Sequence, residues 1–182
     1  NFVVQGVPIK DQKGLAALEV ISNTIGTQKY SPYAKGLDRS LVNRLLSHSH
    51  SIKSSIINLN YQDTGLYGIS LSGPNEETLR QAVWAATKHV KQVLSGINDN
   101  DLKNAKHISK VRSMIHSENQ EAVFHAMAKR HAGNVAGSGP LDVVDKLTLS
   151  DVKAVAGQLL RSKPTMVVVG NPRFVPYIDE LD

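Results

Sequence analysis

The chain has 182 residues, of which 41% are hydrophobic and 20% charged, a balance that is typical of a globular domain and excludes a disordered or fibrous chain. Its net charge of +5 is compatible with an acidic partner, an anionic membrane surface or the mitochondrial matrix. The absence of cysteine excludes disulfides and cysteine metal sites, and no apolar run approaches the ~20 residues that a membrane helix needs.

The beginning of the chain predicts a strand followed by a helix. Residues 1–6 are mostly apolar and predict a strand rather than a targeting leader. Apolar residues recur at helical spacing over residues 12–25, and Gly26 is the expected C-cap of that helix. Residues 27–36 mix polar residues, proline and glycine without a period and predict a surface loop, after which residues 38–46 are expected to form a short helix.

A β-hairpin is predicted in the middle of the chain. Residues 52–61 and 66–73 alternate in hydropathy, which indicates two strands, and residues 62–65 favour a turn between them. Gly65 is expected to supply a permissive φ, and Leu66 to restart the core-facing alternation. On the first strand the alternation places Ile57, Leu59 and Tyr61 opposite Asn58 and Asn60.

The second half of the chain is predicted to be mainly helical. Gly96 is expected to end one helix, and residues 133–140 to interrupt a later one. A strand is predicted over residues 165–170, and the tail of residues 171–182 is expected to be irregular. Four helix starts are indicated by Asn75, by Asn98, by the capping box Ser117-x-x-Gln120 and by the capping box Thr148-x-x-Asp151.

The order of these elements predicts an α+β fold. The hairpin requires antiparallel pairing, and the helices are left to cover one face of the resulting sheet. We therefore expect residues 1–182 to form a single domain, in which an antiparallel sheet is covered on one face by helices.

The spacing of the seven histidines argues against a metal site. Two ligands on one face of a helix need a separation of three or four residues, whereas His125 and His131 are six apart. His48 and His50 follow the predicted short helix in a serine-rich segment. The sequence therefore predicts no metal ligand and no cofactor.

Patterns for catalytic and nucleotide-binding chemistry are missing. Neither H-E-x-x-H nor H-x-x-E-H occurs; Glu19 has the spacing of the inverted motif, but Ala16 and Val20 stand where its two histidines would be. We interpret Glu19 as the polar side of an amphipathic helix. Ser138 lies in a near match to the G-x-S-x-G elbow, but no strand precedes it, so it is interpreted as a loop residue. No catalytic residue is predicted.

Basic residues in the predicted helices are interpreted as a solvated surface rather than a nucleic-acid interface. Aromatic residues make up only 5% of the chain, which leaves few platforms for stacking bases. No nucleic-acid partner is therefore expected. The eight residues are Lys88, Lys91, Lys103, Lys106, Lys110, Arg112, Lys129 and Arg130.

One segment resembles a known family. The run Asn58-x-x-Tyr61-x-Asp63-Thr64-Gly65-Leu66-Tyr67-Gly68 is similar to a hairpin signature of the processing-peptidase superfamily, in the half-domain that follows the zinc-binding half. This superfamily includes the subunits of mitochondrial processing peptidase and the core proteins of ubiquinol–cytochrome c reductase, or complex III. The tail of residues 175–181 looks like the C-terminus of a core protein. The segment 26–36 has glycine only at its ends, unlike the glycine-rich loop of the peptidase α-subunit.

The resemblance implies a processing-peptidase-like (LuxS/metallohydrolase-like) half-domain, the C-terminal half of a subunit with two half-domains. It also implies a non-catalytic scaffold on the matrix side of the mitochondrial inner membrane, without a cofactor. The implied partners are core protein 1, other complex III subunits and the chain's own N-terminal half-domain. An apolar face is expected where these partners pack.

Two other functions compete with the scaffold. In the first, the chain is the C-terminal half of a processing-peptidase subunit that helps to bind cleavable presequences. In the second, it is a free-standing binding module. An intact H-x-x-E-H motif in an N-terminal half would favour the catalytic peptidase subunit.

Overall fold

The computed structural model describes residues 1–26, 41, 52–133, 140–171 and 175–181. Its strands are β1 (Phe2–Gln5), β2 (Lys53–Asn60), β3 (Gly65–Ser72) and β4 (Thr165–Met166). Its helices are α1 (Gln12–Ile25), α2 (Glu76–Gly96), α3 (Asp99–Ser117), α4 (Gln120–Ala132), α5 (Pro140–Lys146) and α6 (Leu149–Arg161), and a 3-10 helix spans Ile178–Leu181. None of the helices in these segments is both long and apolar enough to cross a membrane. The predicted α+β class is confirmed.

The sheet is antiparallel throughout and has the strand order β2-β3-β1-β4. The predicted hairpin is formed by β2 and β3, which pair along their whole length from Lys53 opposite Ser72 to Asn60 opposite Gly65. The backbone closes the turn, because the Tyr61 amide donates to the Thr64 carbonyl at 2.8 Å. Buried residues of the helices and of β3 share one core, so the helices cover one face of the sheet, as predicted.

The face of the hairpin that meets the helices is not the one predicted. Leu66 was expected to face the core, but its side chain is 41% exposed, while the adjacent Tyr67 is buried. Leu59 pairs directly with Leu66 and is also exposed. Because Asn58 pairs with Tyr67, the asparagine side of β2 faces the helices. Side chains directly opposite each other lie on the same face of the sheet. The face that meets the helices is therefore the opposite of the predicted one in both strands.

Tyr67 shows why its face is the internal one. Its hydroxyl lies 3.0 Å from Ser22 Oγ on α1. Since the Ser22 hydroxyl donates to the Leu18 carbonyl at 2.6 Å, the Tyr67 hydroxyl is the donor to Ser22. Burial raises the pKa of Tyr67 above its usual value, which keeps the phenol protonated and able to donate. The polar tip of the ring is therefore satisfied within the core.

Glycines in the hairpin signature are required by crowding rather than by φ. The prediction of a permissive φ at Gly65 is wrong, because in the described chain only Gly26 and Gly170 are glycines with positive φ. A Cβ on Gly65 would instead lie 3.0 Å from the Leu59 carbonyl oxygen and closer still to the Val7 carbonyl. At Gly68 a Cβ would collide with the Phe2 carbonyl of β1. Gly68 therefore lets β1 approach β3 closely, and Gly65 lets the chain at Val7 approach the start of β3.

Helix α1 is the central element of the helical layer. Its bounds match the predicted 12–25, and Gly26 ends it in the left-handed conformation with φ of 68°. At its start, the Asp11 carboxylate accepts a hydrogen bond from the Gly14 amide at 2.9 Å. Five of its apolar residues are completely buried, because α2, α3, α5 and α6 all contact it. These five are Ala17, Leu18, Val20, Ile21 and Ile25.

Most of the other helix boundaries follow the capping pattern of the sequence. Asn75, Asn98 and Thr148 are N-caps, as predicted, and α2 ends at Gly96. The predicted capping box at Ser117 is wrong, because Ser117 is the last residue of α3 and its hydroxyl donates to the Met114 carbonyl. The adjacent Asn119 caps α4 through the amides of residues 121 and 122.

Three further features of the structure differ from expectation, and two predicted elements lie outside the described residues. Helix α5 was not predicted, although it starts with Pro140, a residue that favours the first position of a helix. The predicted strand over 165–170 is only two residues long in β4, which pairs with the start of β1. The tail was expected to be irregular but contains the 3-10 helix. The predicted loop over 27–36 lies outside the described residues, as does the predicted helix over 38–46 except for the helical, buried Leu41.

The capping box of α6 makes stability depend on pH. The Asp151 carboxylate accepts hydrogen bonds from the Thr148 amide at 3.0 Å and from the Thr148 hydroxyl at 2.7 Å, which lowers the pKa of Asp151. A lowered folded-state pKa gives stabilisation that is present above the unfolded pKa of ~3.9 and is lost as pH falls through the folded pKa. Asp151→Asn is therefore expected to be less stable than the parent chain at pH 7, with a gap that closes towards pH 3. Urea unfolding at pH 7, 5 and 3 measures this gap, and a gap independent of pH would contradict it.

Candidate functional site

The histidines of the described chain do not converge on a metal site. His107, His116, His125 and His131 lie exposed on α3 and α4, and His48 and His50 are outside the described residues. Within the segments that the structure describes, no three side chains of the types His, Cys, Asp and Glu lie close enough together to hold a metal ion. The prediction that no residue serves as a metal ligand or catalytic group stays a prediction.

His89 has a structural position that sequence reasoning missed. Its side chain is only 2% exposed, and Nε2 lies 3.2 Å from the Ile25 carbonyl oxygen at the end of α1. A donor at this place satisfies one of the carbonyls that a helix leaves without a partner at its C-terminus. The available signal was its position on the apolar side of α2, four residues from Ala85 and Val93. His89 therefore connects α2 to the end of α1.

Of the two residues that resembled catalytic motifs, the structure describes only Glu19. Glu19 lies on α1 and is partly exposed in a cleft rather than beside a histidine pair. Ser138 lies outside the described residues. Glu19 therefore agrees with its interpretation as the polar side of an amphipathic helix.

A cleft of about 450 Å³ lies between α1, β2 and the helices α3, α4 and α5. We name it the basic cleft. Arg112 of α3 and the neighbouring Lys129 and Arg130 of α4 reach it from one side. Glu19 is the only carboxylate among its described lining residues, and Asn58 and Asn60 line it from the sheet. The orientation of the hairpin thus places two amides in the same cleft as three cations.

The remaining basic residues of α3 serve another purpose. Lys106 Nζ donates to the Asp145 carbonyl at 3.0 Å and to the Leu147 carbonyl at 2.7 Å, at the end of α5. Lys110 Nζ lies 2.9 Å from the Asp145 carboxylate. These two lysines hold α5 against α3. Lys106 and Lys110 are thus engaged within the fold, and the expectation of no nucleic-acid interface stays a prediction.

Large apolar side chains are exposed on the consecutive helices α3 and α4. They are Val111, Met114, Ile115, Phe124 and Met127, and each is between 56% and 69% exposed. We name these five residues the apolar tip. Helix α4 has no buried residue at all. Because monomeric proteins rarely expose several large apolar side chains in one region, the apolar tip is a candidate contact surface.

The sheet face turned away from the helices is a second apolar surface. Leu59 and Leu66 are 47% and 41% exposed and lie directly opposite each other, and Ile57 is partly exposed beside Gly68. We name Ile57, Leu59 and Leu66 the outer sheet face. No helix among the described residues covers it, so it is available to another domain or chain.

The tail docks on the opposite, helix-covered side. Ile178 of the 3-10 helix lines an open apolar groove of about 180 Å³ between the sheet, α2 and α6. The Tyr177 amide donates to the Glu180 carboxylate at 3.2 Å, which caps the start of this short helix. The side chain of Tyr177 itself is 77% exposed. The tail is thus part of the fold, with an aromatic side chain left outside.

Comparison with known proteins finds relatives of two kinds, although no family model matches the chain. Cytochrome b-c1 complex subunit 2 of Cryptococcus neoformans is 31% identical over 135 residues, which cover 68% of this chain and 28% of the relative. The same subunit of Yarrowia lipolytica is 23% identical over 100% of this chain and 42% of the relative. Mitochondrial-processing peptidase subunit alpha of Caenorhabditis elegans is 24% identical over 98% and 36%.

Solved structures agree on the fold. A chain of complex III2 from Candida albicans superposes with a TM-score of 0.71 at 17% identity, covering 86% of this chain and 38% of that one. A protease from Helicobacter pylori superposes with a TM-score of 0.64 at 18% identity, covering 90% and 39%. The chain spans only about two fifths of the length of its relatives.

Proposed function

The chain belongs to the family that contains mitochondrial processing-peptidase alpha subunits and subunit 2 of the cytochrome b-c1 complex, and from this membership we propose that it is the C-terminal half of core protein 2 of complex III. In this function it is a non-catalytic scaffold on the matrix side of the mitochondrial inner membrane. Its partners are core protein 1, other subunits of the complex and its own N-terminal half-domain. It binds no cofactor.

The apolar tip is the observation that carries the scaffold function. Five large apolar side chains in water cost free energy that association would recover, at about 25 cal/mol for each Å² of apolar surface that is buried. The outer sheet face adds a second such surface on the far side of the sheet. A chain that spans about two fifths of its relatives needs surfaces of this kind to meet the remainder of the subunit and its neighbours.

One comparison favours the complex III subunit over a peptidase subunit. The identity to a cytochrome b-c1 complex subunit 2 reaches 31% over 68% of this chain, against 24% over 97–98% for the processing-peptidase alpha subunits. Over the whole chain, a second subunit 2 is 23% identical, so the preference rests on the region of higher identity.

Substitution of the apolar tip tests this function. In the full-length subunit, the double variant Phe124→Ser/Met127→Ser is expected to reduce incorporation into complex III about tenfold, because two exposed anchors of the contact are lost. Incorporation is measured by native gel electrophoresis and by co-purification with core protein 1. The control is Val169→Ser/Tyr177→Ser, which changes two side chains that are 89% and 77% exposed elsewhere.

Unchanged incorporation of the apolar-tip variant would argue against a scaffold contact at this surface. Equal losses of incorporation in the apolar-tip variant and in the control would show that the effect is not specific to the apolar tip. The 182-residue chain alone is expected to self-associate through its exposed apolar surfaces. A monodisperse monomer in size-exclusion chromatography with light scattering would weaken the half-domain proposal. One zinc per chain after dialysis, measured by elemental analysis, would contradict a non-catalytic chain without metal.

The second candidate is a processing-peptidase subunit that helps to bind presequences. The observation in its favour is the match to the alpha subunit of Caenorhabditis elegans over 98% of this chain. Titration of the full-length subunit with a fluorescent basic presequence peptide separates the two functions. Saturable binding together with absence from complex III would favour the peptidase subunit.

A further inference from the structure

The basic cleft combines features of a small-molecule site. Its volume of about 450 Å³ is within the range of 300–1,000 Å³ that ligand pockets typically have. Ile9, Leu15, Ile56 and Val143 give it an apolar lining, and Ile9 is buried. A small number of polar groups converge on this apolar surface, which is the usual composition of a pocket that binds an organic ligand.

Charge in the cleft selects an anion. Arg112, Lys129 and Arg130 carry three positive charges, against one negative charge on Glu19. Arg112 and Arg130 are partly buried, and each also interacts with other groups of the chain. An arginine has five donors in a fixed planar arrangement, so it can keep such an interaction and still offer two parallel N–H groups to a carboxylate or phosphate. Partial burial strengthens the attraction, because water screens it less.

Elements far apart in the sequence build this arrangement. α3 supplies one arginine, α4 supplies Lys129 and Arg130, and the edge strand β2 supplies Asn58 and Asn60 on the face turned towards the helices. Asn60 Nδ2 donates to Asn58 Oδ1 at 3.0 Å and lies 3.4 Å from the Val7 carbonyl. This pairing orients both amides. With its carbonyl oxygen engaged by Asn60, Asn58 has its amide nitrogen directed to other acceptors.

We propose that the basic cleft binds a small organic oxyanion, a phosphate monoester or a dicarboxylate, with Arg112 and Arg130 as the anion-binding residues. The apolar lining receives the carbon skeleton of the ligand, and the amide nitrogen of Asn58 donates to its polar groups. The negative charge of Glu19 repels the anion and so weakens its binding. This binding is separate from the scaffold function, because the cleft contains none of the residues of the apolar tip or the outer sheet face.

Titration of the 182-residue chain with two simple probes tests the proposal. Sodium phosphate and sodium succinate are added separately at constant ionic strength, and binding is followed by amide chemical shifts in nuclear magnetic resonance. Saturable shifts at residues 112, 129 and 130 are expected for one probe or both, and the probe that binds identifies the oxyanion. The double variant Arg112→Gln/Arg130→Gln is expected to weaken binding at least tenfold, because charge-assisted hydrogen bonds are lost.

Two further variants test whether anion binding is specific to the cleft or follows from the overall positive charge of the chain. Lys103→Gln/Lys153→Gln removes the same charge from exposed positions on α3 and α6 and is expected to leave the dissociation constant almost unchanged. Glu19→Gln removes the only described carboxylate of the cleft and is expected to tighten binding about two- to fivefold. The proposal is overturned if neither probe gives saturable shifts, or if the lysine control weakens binding as much as the arginine variant does.

Discussion

Gly68→Ala is expected to destabilise the chain by about 3 kcal/mol or more, a large part of the 5–15 kcal/mol that usually stabilises a domain. The added Cβ would overlap the Phe2 carbonyl and lie 2.8 Å from Val3 Cα, so β1 would have to move away from β3. Because β1 is the central connection between β3 and β4, this movement disturbs the pairing on both of its sides. Equilibrium unfolding in urea measures the loss.

The matched control is the same substitution in a helix. Gly157 lies inside α6, where an added Cβ would meet only the end of the Arg161 side chain at 3.8 Å. Gly157→Ala is expected to stabilise the chain by about 0.5–1 kcal/mol, because alanine is the better helix former. The two substitutions therefore have opposite expected signs. A Gly68→Ala variant as stable as the parent chain would show that the backbones of β1 and β3 are not in such close contact.

Leu18→Ala is expected to cost about 3–5 kcal/mol in free energy of unfolding. Leu18 is completely buried in α1, the helix that four other helices contact, so the surrounding side chains cannot collapse into the space that the truncation leaves. Loss of a buried leucine side chain combines lost apolar burial with the cost of a cavity. Urea unfolding of the variant and of the parent chain measures the difference.

Leu66→Ala is the control for this truncation, and it also tests the orientation of the hairpin. The side chain of Leu66 is 41% exposed on the outer sheet face, so its removal from the 182-residue chain is expected to cost about 1 kcal/mol or less. A cost in free energy of unfolding close to that of Leu18→Ala would place Leu66 in the core and would contradict the observed orientation of the hairpin. In the assembled subunit, where the proposed function buries this face, the cost is expected to rise.

Local signals in the sequence were sufficient to predict most of the helices and strands. Asn75 and Asn98 each offer a side-chain oxygen to the first amides of a helix, and Gly26 adopts the left-handed conformation that ends α1. Such interactions lie within a few residues of each other, so a single sequence contains them completely. The failure at Ser117 has the same basis, because the neighbouring Asn119 is a competing cap and the structure uses it.

The orientation of the hairpin could not be predicted from its own residues. Alternation shows that a strand has two different faces, but the core lies on the side where other elements pack. Here that side is fixed by the Tyr67 hydroxyl on Ser22, a contact between residues 45 positions apart, and by the polar lining that Asn58 and Asn60 contribute to the basic cleft. The outer sheet face keeps apolar residues as well, so both faces of the hairpin look suitable for a core.

The basic cleft was beyond prediction for a similar reason. Arg112 and Arg130 are 18 residues apart on two helices, and only the packing of α3 and α4 in the fold brings them to one cleft. The buried His89 was equally hidden, because its partner is a backbone carbonyl 64 residues away. Charge and residue type are visible in a sequence, whereas convergence depends on topology.

The central position of α1 has a consequence for how the chain is made. Asn23 of α1 donates to Ser109 Oγ across 86 residues, and α6 does not end until Arg161. At synthesis rates of about 5–20 residues per second, roughly 7–27 s pass between the synthesis of the end of α1 and that of the end of α6. Until α6 is complete, the apolar side of α1 lacks part of its native cover, and we expect folding to be slow because the contacts that complete this core are non-local.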